Sequence, residues 1–344
     1  MAETSNEGSV VDRRGRPLRD LRISVTDRCN FRCGYCMPKE VYHDGYRFAP
    51  RDQVLRFEEL ARLAELCVRA FGVTKIRLTG GEPLLRKDLP ALVAMLARIE
   101  GVHDLTLTTN GLLLAEQAQA LADAGLGRVT VSLDALDVET FAAMNGGNRE
   151  LQRVLDGIAA AERAGLAPIK VNCVVIRDQN EHAIEALAER FRHGPHVLRF
   201  IEFMDVGTLN RWEPSAVVTA SEIHARLSKL SPLRPLDARR PGEVAERFAY
   251  EDGSGEVGII ASVTRPFCGD CNRGRISAEG QLLTCLFASE GLDLRGPMRA
   301  GASDAELLSL LTAAWRNRDD RYSEQRAELA QLPRRRLEMY QVGG

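Results

Sequence analysis

Six of the eight cysteines in this 344-residue sequence stand in two triplets. Cys29, Cys33 and Cys36 form C-x3-C-x2-C, and Cys268, Cys271 and Cys285 form C-x2-C-x13-C. Neither triplet has an obvious fourth protein ligand. A saturated structural zinc site takes four protein ligands, whereas a site that reacts keeps one position open. Thiolates are also the usual ligands of iron–sulfur clusters. Two clusters, each with one iron free for another ligand, would make a redox enzyme that binds its substrates to metal. For the second triplet a zinc ribbon stays open on the residues alone. His224 is the only histidine after residue 196, so Asp270 or Glu279 would be the other donors available to it. Cys67 and Cys173 lie in an apolar helical run and an apolar strand, and read as small buried hydrophobes.

The loop Asp27–Lys39 carrying the first triplet follows a β-type run, Leu21–Thr26. Five more such runs follow, at Lys75–Thr79, Asp104–Thr109, Arg128–Asp134, Ile169–Ile176 and Val197–Phe203. Helix-patterned segments separate them, at Val54–Phe71, Asp88–Ile99, Leu112–Ala124, Leu151–Ala164 and His182–Phe191. Strands alternating with helices imply parallel strands joined by right-handed crossovers. Such units build either an open doubly wound sheet or a partial barrel, and the side-chain alternation favours the barrel. Successive strand side chains point to opposite faces. Arg22, Ser24 and Thr26 share a face, as do Lys75, Arg77 and Thr79 in the second run, and Thr106 and Thr108 in the third. Thr130, Ser132 and Asp134 do so in the fourth run, Lys170 and Asn172 in the fifth. A sheet covered by helices on both faces reads instead as continuously apolar strands. One polar face through five strands fits a wide, incomplete barrel around a polar ligand. The sixth run is less regular, with Arg199 sharing its face with Ile201 and Phe203.

The fold expected is therefore α/β, an incomplete TIM-like (β/α)6 barrel over residues 1–230. A smaller α+β domain over residues 231–344 carries the second triplet. Helix Ala220–Leu230 precedes Ser231–Gly242, whose prolines and arginines read as a linker. Runs at Phe248–Tyr250 and Val257–Ile260 and a helix at Asp304–Trp315 lie beyond it.

Barrel enzymes build their sites at the carboxyl ends of the strands. Unusual residues gather there: Gly80-Gly81-Glu82-Pro83, Thr108-Thr109-Asn110-Gly111, and the pair Ser132 and Asp134. The glycine pair lets backbone approach a ligand closely. A formal charge of -2 gives no global attraction to nucleic acid or anionic membrane, so an anionic ligand needs a local basic pocket. No stretch approaches the roughly 20 apolar residues of a membrane span. The N-terminal segment with Asp12, Arg13, Arg14 and Arg16 lacks the apolar core of a signal peptide. A cytoplasmic protein is expected, where cysteine clusters bind metal more often than they pair. Arg334-Arg335-Arg336 reads as a solvated basic face rather than a nucleic-acid site.

Cys29-Asn30-Phe31-Arg32-Cys33-Gly34-Tyr35-Cys36 resembles the signature of radical S-adenosylmethionine (SAM) enzymes. That resemblance implies a [4Fe–4S] cluster on the three cysteines, with SAM on the fourth iron and a 5′-deoxyadenosyl radical made from it. Tyr35, Gly81, Ser132 and Met204 would then contact SAM. The run Cys268-Gly269-Asp270-Cys271-Asn272-Arg273-Gly274-Arg275 with Cys285 is similar to the GTP 3′,8-cyclase family of molybdenum-cofactor biosynthesis. So are Leu21–Cys36 and the terminal Gly343-Gly344, collinearly from about residue 12 to 344.

The second resemblance implies another [4Fe–4S] cluster, its free iron binding guanine. Arg22, Arg77, Thr108, Lys170, Arg273, Gly274 and Arg275 would surround GTP; the polar strand faces add Lys75 and Arg199, each of which reads equally as a solvated strand-end charge. A triphosphate carries about four negative charges, which must be paired once buried. Arginine forks suit its oxygens, with lysine acting as a point charge. Arg22, Arg273, Arg275, Gly343 and Gly344 are the implied catalytic residues, the diglycine reaching back into the site. The implied reaction removes the ribose 3′ hydrogen of GTP and joins C3′ to guanine C8. The implied partners are a flavodoxin- or ferredoxin-type reductant and cyclic pyranopterin monophosphate synthase downstream, with a homodimer as a possible assembly. The rivals are a radical SAM enzyme acting on a peptide and a non-enzymatic iron–sulfur or zinc scaffold.

Overall fold

The structure is a computed structural model that describes residues 10–329 and 336–343. Its described residues form a twelve-stranded sheet. The strands are β1 (Asp20–Ser24), β2 (Lys75–Thr79), β3 (Asp104–Thr109), β4 (Arg128–Ser132), β5 (Lys170–Val175) and β6 (Val197–Glu202). They continue with β7 (Leu233–Leu236), β8 (Glu246–Tyr250), β9 (Glu256–Ile260), β10 (Arg273–Ile276), β11 (Gln281–Leu283) and β12 (Leu292–Asp293). The order across the sheet is β12-β11-β10-β1-β2-β3-β4-β5-β6-β9-β8-β7. From β10 to β9 every neighbouring pair is parallel. The outer pairs, β12-β11-β10 at one edge and β9-β8-β7 at the other, are antiparallel. The six expected barrel strands are thus extended at both edges by the last third of the chain.

Seven helices accompany the barrel strands: α1 (Phe57–Phe71), α2 (Leu89–Ala97), α3 (Leu114–Asp123), α4 (Val138–Asn145), α5 (Leu151–Arg163), α6 (Ile184–Arg192) and α7 (Ala220–Leu227). Farther along lie α8 (Arg295–Arg299), α9 (Asp304–Arg316), α10 (Arg326–Leu329) and α11 (Met339–Val342). In α1 the residues Leu60, Leu63, Ala64, Cys67, Val68 and Phe71 recur every three or four positions and are buried. Each large one contributes roughly 1.5–3 kcal/mol by leaving water. Gly72 ends the helix in the left-handed region, at φ 65°. The apolar strand faces, with Ile23, Leu78, Leu107, Val131, Val171 and Phe200, pack under these helices and are fully buried. The opposite, polar faces are left to line the interior. Among the described residues no helix is long and apolar enough to cross a membrane.

Three expectations need correction. Part of the expected linker Ser231–Gly242 is strand β7, paired with β8. Helix α4, which carries Phe141 and Met144 into the core, has no counterpart in the sequence reading. Arg336 is not a solvated charge: it donates to the Asp205 carbonyl at 3.0 Å and meets its carboxylate at 3.3 Å. Arg334 and Arg335 lie outside the described residues.

Candidate active site

The two cysteine triplets sit at opposite mouths of the barrel. Cys29, Cys33 and Cys36 lie beyond the carboxyl end of β1. Cys268 and Cys271 precede β10, which is parallel to β1, so they lie at the amino end. Strand β11 runs antiparallel to β10 and returns Cys285 to that same end. All six thiols line one cavity of about 300 Å³, together with the inward residues of β1–β6 and β10. They are free and half-buried. A larger cleft of about 820 Å³, between Arg28, Tyr46, Glu279 and Tyr340, holds no cysteine.

At the carboxyl mouth Arg32 shapes the first loop. Its guanidinium donates to the carbonyls of Cys29 at 2.7 Å and Phe31 at 2.8 Å. The Gly80-Gly81 turn lies so close to that loop that a Cβ on Gly81 would sit 2.2 Å from the Arg28 carbonyl. Glu82 is buried and accepts from Thr109 Oγ1 at 2.7 Å and from the amides of Asn110 at 2.8 Å and Leu84 at 3.0 Å. Burial pushes its carboxyl up to about 7, against those hydrogen bonds. Tyr35 donates to Asp134 at 2.9 Å, and Asp134 also accepts from the Val174 amide at 2.9 Å. Tyr35, Gly81, Ser132 and Met204 all line the cavity.

Toward the amino mouth the strand register stacks cations in rows. Arg275, Arg22 and Arg77 are register partners across β10, β1 and β2; Arg273, Asp20 and Lys75 form the adjacent row. Arg77 donates to Thr108 Oγ1 at 2.9 Å, and Arg199 to Asn172 Oδ1 at 2.9 Å. Lys75 is ion-paired with Asp20. Lys75 and Arg199 are 5% and 8% exposed, so neither is a solvated strand-end charge. Gly274 differs in placement. It is buried with its Cα facing Leu18 and Trp315, and unlike Arg273 and Arg275 it does not line the cavity.

These cations burden one another. Burial, then Arg275 and Arg77, lower the Arg22 pKa well below its ordinary value. Burial with Arg199 and Arg128 brings Lys170 down to about 7, and burial with Arg77 and Arg128 brings Arg199 to about 9. Asp20 is held well below the carboxylate range because Lys75, Arg22 and Arg77 outweigh its burial. Arg22 Nε and Arg77 Nε are buried without a hydrogen-bond partner among the described residues. Buried donors of this kind call for acceptors, and an anion with several oxygens supplies them.

One thiol of the second triplet, Cys271, differs electrostatically from Cys29 and Cys285; burial pushes Cys285 up to about 12. Burial pushes Cys29 up to about 12. It pushes Cys271 the same way, but Arg273 and Arg318 outweigh it and bring that thiol to about 6. Arg273 donates to Cys271 Sγ at 3.3 Å, and the Phe287 amide to Cys285 Sγ at 3.5 Å. Among the described residues no three His, Cys, Asp or Glu side chains gather around a single-ion position. His224 stacks edge-on against Phe248 at 4.9 Å and does not line the cavity. At the first mouth the Phe31 amide donates to Cys29 Sγ at 3.4 Å, so three thiols with N–H groups aimed at sulfur fit an iron–sulfur cluster at each mouth.

The chain terminus enters the same space. Arg275 donates to the carbonyls of Val342 at 3.0 Å and Gly343 at 2.6 Å. At Gly343 the backbone has φ +67°, and a Cβ would lie 2.6 Å from both Ser24 Oγ and Thr79 Cγ2. Gly344 lies outside the described residues. Sequence reasoning missed Asp20, Arg16 and Arg318 as lining residues. Asp20 carried a signal, since it extends the Arg22–Ser24 alternation by one step; the others become neighbours only through the fold.

Residues 23–191 match the family described as Radical SAM superfamily, and residues 196–324 that described as Molybdenum Cofactor Synthesis C. A structure of Streptococcus suis SuiB bound to S-adenosylmethionine superposes with TM-score 0.60 at 15% identity, covering 91% of this chain and 68% of that one. That likeness is one of fold. A GTP 3′,8-cyclase of Xanthomonas campestris pv. campestris is 56% identical over 335 residues, 97% of each chain. One of Acidothermus cellulolyticus is 56% identical over 322 residues, 92% of this chain and 89% of its own. Identity at that level, carried across the barrel, both cysteine loops and most of the sequence beyond them, makes this chain a member of the GTP 3′,8-cyclase family within the radical SAM superfamily.

Proposed function

We propose that this chain converts GTP to (8S)-3′,8-cyclo-7,8-dihydroguanosine 5′-triphosphate, the first step of molybdenum-cofactor biosynthesis. The observation that carries the reading is the placement of a three-thiol loop at each mouth of one cation-walled cavity. With [4Fe–4S] clusters bound, Cys29, Cys33 and Cys36 would hold the one that cleaves SAM for hydrogen removal, and Cys268, Cys271 and Cys285 the one whose free iron binds guanine. Tyr35, Gly81, Ser132 and Met204 are the residues we assign to SAM at the carboxyl mouth. Arg22, Arg77, Lys170, Arg199, Arg273 and Arg275 are assigned to the triphosphate, with Thr108 orienting Arg77. Lys75 serves the same row by balancing Asp20. The ring closure would break C3′–H, its hydrogen atom passing to the 5′-deoxyadenosyl group of SAM, and form C3′–C8; one electron from the reductant and one proton would then place a hydrogen on N7, so the product is isomeric with GTP. The enclosing strands keep water and competing hydrogen donors away from the reacting carbon. Arg22, Arg273, Arg275 and the diglycine Gly343-Gly344 are assigned to the reacting centre, where Arg275 holds the tail. A flavodoxin- or ferredoxin-type reductant, cyclic pyranopterin monophosphate synthase as the next enzyme, a homodimer and a cytoplasmic setting belong to the same proposal.

Anaerobic incubation of reconstituted protein with SAM, GTP and dithionite, followed by mass spectrometry, tests it. Formation of 5′-deoxyadenosine only when GTP is present, with a cyclised isomer of GTP, is expected. SAM cleavage indifferent to GTP would retain the radical chemistry and discard the substrate.

A further inference from the structure

One buried charge cluster is left unused by that reaction. Arg16 Nε meets Asp12 Oδ2 at 2.6 Å, and Arg318 Nη1 meets the same oxygen at 3.3 Å. All three side chains are 3% exposed or less. Arg318 Nε also meets Asp320, which is partly exposed, at 3.3 Å. The cluster joins the segment before β1 to the segment after α9, although nothing in their sequence pairs them.

Both arginines reach the second cysteine loop, and both reach it through backbone. Arg16 Nη1 donates to the Cys268 carbonyl at 2.7 Å and to the Asp320 carbonyl at 2.8 Å. Arg318 Nη1 donates to the Cys271 carbonyl at 2.8 Å. Trp315 braces the pair: its indole donates to the Arg16 carbonyl at 3.1 Å, and its ring lies 4.6 Å from the Arg318 guanidinium. Arg16 also lines the cavity, and its Nη2 is buried without a hydrogen-bond partner among the described residues. A planar, permanently charged fork anchored by a buried carboxylate is well suited to fixing a carbonyl's position.

We propose that Asp12, Arg16 and Arg318 are positioning residues for the second cysteine triplet. They hold the Cys268–Cys271 loop by its carbonyls and leave Arg16 Nη2 as a donor to whatever the thiols bind. The proposal rests on the reading of that triplet as an iron–sulfur site. Mutating groups that orient metal ligands in this way typically costs roughly 10–100-fold in metal affinity or activity.

Arg16→Lys and Arg318→Lys test it, because each keeps the charge beside Asp12 and loses the fork. Trp315→Phe, which removes the indole donor and keeps a ring, is a third variant that alters no charge. Iron and sulfide content, circular dichroism and iodoacetamide labelling of each cysteine are read on anaerobically reconstituted full-length protein. Wild type should hold about eight irons and each lysine variant about four. In the variants the dichroism should be unchanged, the first triplet protected, and the second triplet labelled at least tenfold faster. Trp315→Phe should fall between them. Arg14→Lys, in an exposed pair with Asp319, is the control expected to match wild type. Eight irons with protected thiols in every variant would overturn the positioning role alone. Loss of both clusters together, or of the fold, would make the cluster a general structural brace and also overturn it. Wild type with about four irons would remove the two-cluster reading beneath it.

Discussion

At the scale of single residues, Lys170 separates the cations that titrate from those that do not. Burial, Arg199 and Arg128 bring it to about 7, so the empty site holds it partly deprotonated near neutrality. A bound triphosphate favours the charged form, raises that pKa, and takes up a proton on binding. GTP affinity should therefore fall as pH rises above about 7, by up to roughly tenfold per pH unit. Calorimetric titration at pH 8 in buffers of unlike ionisation enthalpy should show proton uptake in wild type. Lys170→Arg should reduce it, because a guanidinium stays charged. Equal uptake in the two would remove Lys170 from the linkage. That this lysine faces the cavity was legible in the sequence, since period-two alternation marked Lys170 and Asn172 as one face. Its electrostatic neighbours were not. Arg199 and Arg128 approach it only once β4, β5 and β6 are in register. The Asp12–Arg16–Arg318 cluster lay still further from reach, because nearly the whole sequence separates Arg318 from Asp12 and Arg16.

At the scale of elements, two glycines set how closely segments approach. Gly157 lies inside α5, and a Cβ there would meet the Gly111 carbonyl at 2.7 Å and Leu114 Cβ at 3.1 Å. Alanine gains about 1 kcal/mol in helix propensity, but a backbone carbonyl at that distance does not yield as a flexible side-chain end does. The clash should win, and Gly157→Ala should destabilise by about 1–3 kcal/mol in urea unfolding. A more stable variant would mean that α3 and α5 can slide apart freely. Gly343→Ala meets Ser24 and Thr79 and adds the left-handed penalty of about 1–2 kcal/mol. It should lower product formation tenfold or more while iron content and SAM binding hold; unchanged turnover would detach the tail from the reaction. Among the elements themselves, the long amphipathic helices and alternating strands were readable, whereas β7 and β10 were not. Strand β7 contains Pro235 and lies at the sheet edge, where proline is tolerated. Strand β10, Arg-Gly-Arg-Ile, has little strand propensity of its own and is held by parallel pairing with β1.

At the scale of the whole molecule, strand β10 makes the end of the chain part of the barrel wall. It brings Arg273 and Arg275 beside Asp20 and Arg22, so the cation density of the cavity is assembled from both halves of the sequence. A chain of formal charge -2 thus encloses a strongly positive interior, and composition gives no warning of it. That interior works against the ligand-free fold. Arg22 is charged in folded and unfolded chains alike at pH 7. Burial, Arg275 and Arg77 all lower its pKa, so its charge is less favourable in the folded state. Arg22→Gln should therefore raise the melting temperature of the ligand-free protein, by roughly 1–3 °C if the relief is near 1 kcal/mol. A polyanion should have the opposite preference. Tripolyphosphate at about 100 times its Kd stabilises by about 2.7 kcal/mol, and added salt should weaken this by screening the approach of the charges. The variant should lose most of that ligand-induced rise. Thermal melts of both proteins, with and without tripolyphosphate at low and high salt, read the two effects together. If Arg22→Gln melted lower than wild type yet kept the full anion shift, Arg22 would be a structural cation, and the phosphate-binding role would pass to Arg77, Arg273 and Arg275.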